Sequence, residues 1–454
     1  MPETAPSSSL DALGLHDLAV REEYEVETDD GWTLVVTRYR PRPQAFAQPL
    51  KDLPMMLVHG FSQNRLTWTS GEFARDLSFF GADLHILELR GHGKSSRSLQ
   101  FRRHNREGKA LPADIAWGWD VDSYFLHDVP AALRAVKERT GHERILYIGH
   151  SMGGMIGYGA ASRYQDDLLG LVTVGSPSDI GRGLPLLQGL AWASLALPLI
   201  DAMLWQANVY RGADYRVRKT LRDAGARTRL TRRLADRVLG EAAKPPKRLR
   251  FRVFPVDLIL KTVGATLTDP ASPLARLPRY IPLMWNPEHV HPERVKDLLT
   301  IGGGPEPRAV VEQFCRWIRN NELKCYRGDY DFKEHFEDIR VPLAIIFGDE
   351  DQVARIQSTR SIYKRAKSNY LLWRPVRGNS HLDVTMGYDI RQIVYDIKNL
   401  ADYALNHLHK APTLPTHDVP VVESGVTPPR RMPPGRHRTH GSTRRPSRRR
   451  TSAP

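Results

Sequence analysis

The run Ile145-Leu146-Tyr147-Ile148-Gly149-His150-Ser151-Met152-Gly153-Gly154 constrains this chain more than any other. Its four leading apolar residues predict a short buried strand, and the glycine-rich stretch behind them predicts a helix start. A serine between the two sits on a tight strand-to-helix turn, the setting of a nucleophile elbow. Gly149 and Gly153, two residues to either side, let neighbouring backbones come close. The helix N-terminus favours negative charge developing beside the serine.

A serine hydroxyl is a poor nucleophile until a base takes its proton. In this arrangement the partners follow in the order Ser, acid, His. Leu343–Phe347 reads as a strand and leads into Gly348-Asp349-Glu350-Asp351-Gln352-Val353. Asp351, third after the glycine and with Val353 following, is the expected acid, and Asp349 is the alternative. Tyr370–Val376 leads into Gly378-Asn379-Ser380-His381-Leu382-Asp383, and His381 is the only histidine between Asp351 and the last helix. His381 is therefore the expected base, and Asp383 reads as structural. Two N–H donors are needed for an oxyanion. Met152, next to the serine, and Phe61, after the apolar run that ends in His59-Gly60, are the expected pair.

Apolar runs at Pro54–His59, Ala82–Leu89, Arg144–Gly149 and Leu168–Gly175 read as strands. Tyr24–Thr28 and Trp32–Tyr39 flank Asp29-Asp30-Gly31 as a hairpin. Asp120–Thr140 and Ile390–Leu408 have helical spacing, and Pro130 kinks the first or marks its true start. Strands alternating with helices predict an α/β fold with a mostly parallel sheet flanked by helices and a large helical cap insertion. The expected division is a lead-in over 1–20, a core over 21–177 and 339–410, a cap over 178–338, and a disordered basic tail over 411–454. The tail has nine arginines, and past Val426 it has no aromatic residue and Met432 as its one large apolar side chain, too little to bury.

At this point the chain resembles the α/β-hydrolase superfamily, over roughly residues 24–177 and 305–408. The carriers are His59-Gly60, Arg90-Gly91-His92-Gly93, the Gly-His-Ser-Met-Gly-Gly run and the late histidine. A narrower similarity is to acid lipases of the gastric and lysosomal type. It rests on Tyr124, Asp128-Val129-Pro130-Ala131, Thr140-Gly141, Tyr147, the elbow, Trp68 after His59-Gly60, and His381-Leu382-Asp383 with Gly387. Gln313, Trp317 and Tyr326 resemble the helix before the acid strand in those lipases. Met152 stands where they usually carry glutamine. The resemblance implies hydrolysis of a hydrophobic acyl ester. Acyl transfer by the same triad and a non-catalytic membrane- or polyanion-binding protein are the alternatives. Haloalkane and epoxide chemistry would place an aspartate at the elbow.

The formal net charge is +15, and two segments hold all of the excess. Residues 211–252 carry a net of +11 and residues 411–454 a net of +7, so the remainder is slightly acidic. Nucleic acid of specific sequence is not an expected partner. Cys315 and Cys325 suggest neither a disulfide framework nor a metal pattern. Gly302-Gly303-Gly304 lacks the strand-to-helix context of a phosphate loop, and no cofactor is expected. The polar start predicts no secretion signal, and hence a cytoplasmic protein.

Gly183–Ile200 carries no charge and approaches the ~17–25 residues of a membrane span. Ser151 precedes it while Asp351 and His381 follow it, and all three must meet on one side. The run is therefore a lid helix lining an acyl pocket, a helix dipping into a membrane surface, or a buried cap helix. Val217, Leu221, Leu230, Leu234 and Val238 among arginines predict a basic amphipathic helix. Its expected partner is an anionic membrane surface.

Overall fold

The computed structural model describes residues 13–183, 185–225, 248–267, 284–388 and 390–407. The basic tail, and Leu230, Leu234 and Val238 of the expected amphipathic helix, lie outside them.

Among the described residues there are ten strands: β1 (Ala19–Glu27), β2 (Thr33–Pro41), β3 (Pro54–Val58), β4 (Asp83–Glu88), β5 (Ile145–His150), β6 (Leu168–Val174), β7 (Val253–Phe254), β8 (Glu306–Pro307), β9 (Leu343–Gly348) and β10 (Leu371–Val376). Eight of them form one sheet in the order β1-β2-β4-β3-β5-β6-β9-β10, and β7 and β8 pair separately. β2 is antiparallel to both β1 and β4, and the remaining neighbours, β4-β3-β5-β6-β9-β10, run parallel.

The central strands read as unbroken apolar runs because both faces of the sheet are covered. Side chains alternate between two cores with the period of two expected of a strand. Met56, Val58, Ile145, Tyr147, Ile345 and Phe347 enter the core beneath helices Val129–Thr140 and Met152–Arg163. Met55, Leu57, Leu146, Ile148, Ala344 and Ile346 enter the other, which helix Arg391–His407 covers with Ile393, Ile397 and Leu400.

Pro130 lies at the first turn of Val129–Thr140, behind a π turn over Tyr124–Asp128. The helical run is continuous from Val121, and the widened π turn just before Pro130 is where a proline inside a helix is accommodated. Asp128, freed by that turn, meets the fully buried Arg90, which also reaches Asp30 and Asp114. The Arg-Gly-His-Gly run thus works first as packing.

Two expected boundaries move. The lead-in is not loose to residue 20: Leu15–Leu18 is a helical turn, Leu18 is buried, and Ala19 pairs with Pro41 as the first rung of the sheet. The cap does not run to residue 338 as one body. Val310, Trp317, Leu323, Phe332 and Phe336 pack into the core that holds β5, so the last part of the insertion belongs to the main body.

Candidate active site

In an open parallel sheet the carboxyl ends of the strands form the natural cleft, because the connecting loops leave the sheet there. β3, β5, β9 and β10 end on that edge, and Phe61, Ser151, Asp351 and His381 follow them.

Ser151 is one of the few non-glycine residues with positive φ, at φ 51 and ψ −117. Such backbone is costly for an L-residue and persists only where its surroundings hold it. Those surroundings are on hand. The Ser151 N–H donates to Val174 O at 2.9 Å, tying the turn to β6. A Cβ on Gly149 would lie 2.5 Å from the Gly153 backbone, and one on Gly153 would lie 2.3 Å from Val58 O. Both glycines are therefore required by contact between backbones.

Ser151 Oγ lies 3.0 Å from His381 Nε2, and His381 Nδ1 lies 2.8 Å from Asp351 Oδ2. A carboxylate can only accept, so Nδ1 carries the ring proton and Nε2 faces the hydroxyl as acceptor. Asp351 and His381 are buried. The second oxygen of Asp351 accepts from Val353 N–H at 2.7 Å and Ala354 N–H at 2.8 Å, which leaves Oδ2 aimed at the ring. Asp349 instead accepts from Gly378 N–H at 2.7 Å and is exposed. The structure therefore brings Ser151, His381 and Asp351 together, and it uses Asp349 to cap the loop in front of the histidine.

The loop after β3 lies against the serine: a Cβ on Gly60 would stand 3.1 Å from Ser151 Cβ. Phe61 follows it, and Met152 opens helix Met152–Arg163, where its N–H has no intrahelical acceptor. His59 holds this loop from below. Its Nε2 accepts from Leu89 N–H at 3.1 Å, so Nδ1–H donates to Gly60 O at 2.8 Å. Burial, together with the neighbouring His92, pushes the His59 pKa down to about 3, and the ring is neutral.

Three supports are not legible in the sequence. His150, the variable residue of the elbow, donates from Nε2 to the His381 backbone carbonyl at 3.1 Å, and burial holds its pKa down to about 3. Gly175, at φ 59, passes so close that a Cβ there would lie 3.3 Å from His381 Nδ1 and 3.4 Å from Asp351 Oδ2. Glu306, buried on β8, accepts from Ser62 N–H at 2.6 Å and pairs with His92 Nε2 at 3.0 Å. Burial opposes a charged His92, and Glu306 outweighs it, so the His92 pKa is raised. Only the flanking glycines of the elbow hint at such crowding, and nothing local marks Glu306.

Asp383 is structural, as expected. Its carboxylate accepts from Ser380 N–H at 2.7 Å and from Asn286 N–H at 3.0 Å, fastening the histidine loop to the insertion. Burial raises its pKa to about 6. The two cysteines are free thiols. Among the described residues the one group able to gather three metal-type ligands is Asp29, Asp30 and His127, in which Asp30 already pairs with Arg90 and Asp29 with His127.

A family model for the alpha/beta hydrolase fold matches residues 54–258. Lipase member M of Homo sapiens is 31% identical over 144 residues, which cover 31% of this chain and 32% of that protein. The lysosomal acid lipase/cholesteryl ester hydrolase of Homo sapiens is 28% identical over 145 residues, covering 32% and 35%. The gastric triacylglycerol lipase of Rattus norvegicus is 29% identical over 146 residues, covering 31% and 35%. The chain thus spans about a third of the length of the curated relatives it matches. A thermophilic esterase structure from Thermogutta terrifontis aligns over 84% of this chain and 99% of that one, at 13% identity and a TM-score of 0.45. The chain has the α/β-hydrolase fold and resembles lipases. The lysosomal and gastric names of these relatives give the cytoplasmic expectation no support.

Proposed function

We propose that this chain of α/β-hydrolase fold is a serine hydrolase that cleaves carboxylic esters with a hydrophobic acyl group. The observation that carries the reading is the continuous hydrogen-bonded relay from Ser151 Oγ through His381 to Asp351, set on a strained elbow at the carboxyl edge of the sheet.

His381 Nε2 takes the hydroxyl proton as Ser151 Oγ bonds to the ester carbonyl carbon. The charge passing to the carbonyl oxygen is held by the N–H groups of Met152 and Phe61, already fixed before the reaction. The tetrahedral intermediate collapses with rupture of the bond to the alkoxy oxygen, which leaves as alcohol with the proton from His381. Water then attacks the acyl-enzyme, gives a proton to His381, and releases the acid, and Oγ recovers its proton. Asp351 keeps the proton on Nδ1 throughout and stabilises the imidazolium. An apolar acyl group suits the ring of Phe61, which packs against Phe314 at 5.3 Å beside the serine. It also suits the triacylglycerol and cholesteryl ester substrates named for the relatives.

A p-nitrophenyl ester series of increasing acyl length tests this. Turnover is expected to rise with chain length and to fall to background in Ser151→Ala. Activity that survives the substitution would overturn the proposal.

A further inference from the structure

The feature that this chemistry leaves unused is the outward side of the helices Pro185–Ala193 and Leu197–Gly225, joined by a 3-10 turn at Ser194–Ala196. Leu187–Val217 is long and apolar enough to cross a membrane, with a mean hydropathy of 1.4, yet only 12% of the apolar window is buried.

One side of this arm is fastened to the body at intervals of seven residues. Ser194 Oγ accepts from Arg319 at 2.6 Å, Asp201 pairs with Arg308 at 2.6 Å, and Asn208 exchanges two hydrogen bonds with the Leu249 backbone. Seven residues are close to two helical turns, so Asp201 and Asn208 lie in one line along the helix, and Ser194 holds the turn that precedes it. Two residues further on is about 200° around the axis. Met203 and Tyr210 stand there relative to Asp201 and Asn208, and Leu199 and Val217 fall on the same line. All four are exposed, Leu199 at 67%, Met203 at 68%, Tyr210 at 75% and Val217 at 58%, and Trp192 continues the stripe at 60%. The apolar stripe of this arm therefore faces solvent, on the side away from the tethers. Polar and charged tethers along one side, which would have to be buried or broken in a bilayer core, argue against a span.

We infer that this stripe is an in-plane docking surface for an anionic phospholipid bilayer. An apolar stripe flanked by Trp, Tyr and cationic side chains has the make-up of a helix seated at the headgroup boundary. The charge selects among occupants. The stripe runs into residues 211–252, with their net charge of +11. A second copy placed face to face would bring two such segments together, whereas anionic headgroups neutralise them. Arg308 and Arg319, which hold the arm, belong to helix Arg308–Asn320, and Phe314 of that helix touches Phe61. One helix therefore separates the docking surface from the loop beside Ser151.

Flotation of the full chain with phosphatidylcholine vesicles, with and without about one-third phosphatidylglycerol, tests the inference at physiological salt. Recovery with the anionic vesicles is expected to exceed that with neutral ones at least ten-fold. Leu199→Glu with Met203→Glu is expected to lower it at least ten-fold, since two apolar side chains can no longer be buried. Both positions are exposed, and an unchanged thermal midpoint with unchanged turnover of a soluble short-chain ester would certify the folded variant. Ser151→Ala should float like the parent, which separates docking from catalysis. Equal recovery on both vesicle types, full retention of the double variant, or a dimer in light scattering that the double variant abolishes would each overturn the inference.

Discussion

The elbow and the outer helical arm use glycine and apolar residues in opposite ways. Along β5 and the first two turns of Met152–Arg163 nearly every residue is buried, and the glycines are spaces into which a neighbouring backbone or side chain fits. Along Leu197–Gly225 the residues Leu199, Met203, Trp205, Tyr210 and Val217 face out, and Gly212 has nothing within 4 Å of where a Cβ would stand. The first region is determined by contacts inside the chain. The second is determined on its polar side only, and its apolar side is arranged for something outside. The contrast teaches that hydrophobicity alone does not locate a core: what decides is which side of the helix the polar tethers hold.

The largest effect should come from within the elbow's relay. Asp351→Asn leaves the shape nearly unchanged but stabilises the wrong ring tautomer of His381, and kcat is expected to fall by about 10⁴-fold. Asp349→Asn, two residues away, is expected to change kcat less than about three-fold, because the exposed Asp349 carboxylate accepts from the Gly378 N–H and not from His381. Comparable losses in the two variants would remove the distinction between them. Next comes Gly153→Ala. The added methyl would meet Val58 O at 2.3 Å, and a loss of about 3 kcal/mol or more is expected in denaturant unfolding.

Glu306→Gln should produce a smaller loss that depends on pH. The His92 pKa is raised in the folded state, so its contribution is fully present below the unfolded value of about 6.5 and fades as pH rises through the folded value. The gap in thermal midpoint between parent and variant is therefore expected to be widest below about pH 6.5 and to narrow above it. A gap independent of pH would mean that Glu306 acts only through its bond to Ser62. The smallest effect should be Gly212→Ala in the outer arm, which is expected to stabilise by about 0.5–1 kcal/mol, with the opposite sign to Gly153→Ala. Destabilisation there would mean that the arm is packed more tightly than its exposure indicates.

What was legible in the sequence follows the same contrast. The sheet strands, the elbow, the order Ser151, Asp351, His381 and the choice of Asp351 over Asp349 were readable because each rests on a short local pattern: an apolar run, a glycine, a turn. Even the structural role of Asp383 followed from its place beside His381. Glu306 was not readable, since its partners Ser62 and His92 lie more than 200 residues away and a single glutamate in the two-residue strand β8 carries no pattern. The same holds for Gly175, whose approach to the dyad depends on how β6 and β9 align. The apolar run at residues 183–200 was recognisable, but its direction was not, because Arg308 and Arg319 hold it from a helix over 100 residues further on. The cap was drawn too long for a related reason. Its final stretch reads as helix and loop, and only packing reveals that Trp317 and Phe336 join the core.

The central claim is that Ser151, activated by His381, is the nucleophile. Intact-mass spectrometry after treatment with a fluorophosphonate tests it most directly. The account predicts a single adduct that peptide mapping places on Ser151 and that Ser151→Ala and His381→Ala both abolish. An adduct of the same extent in Ser151→Ala would contradict it.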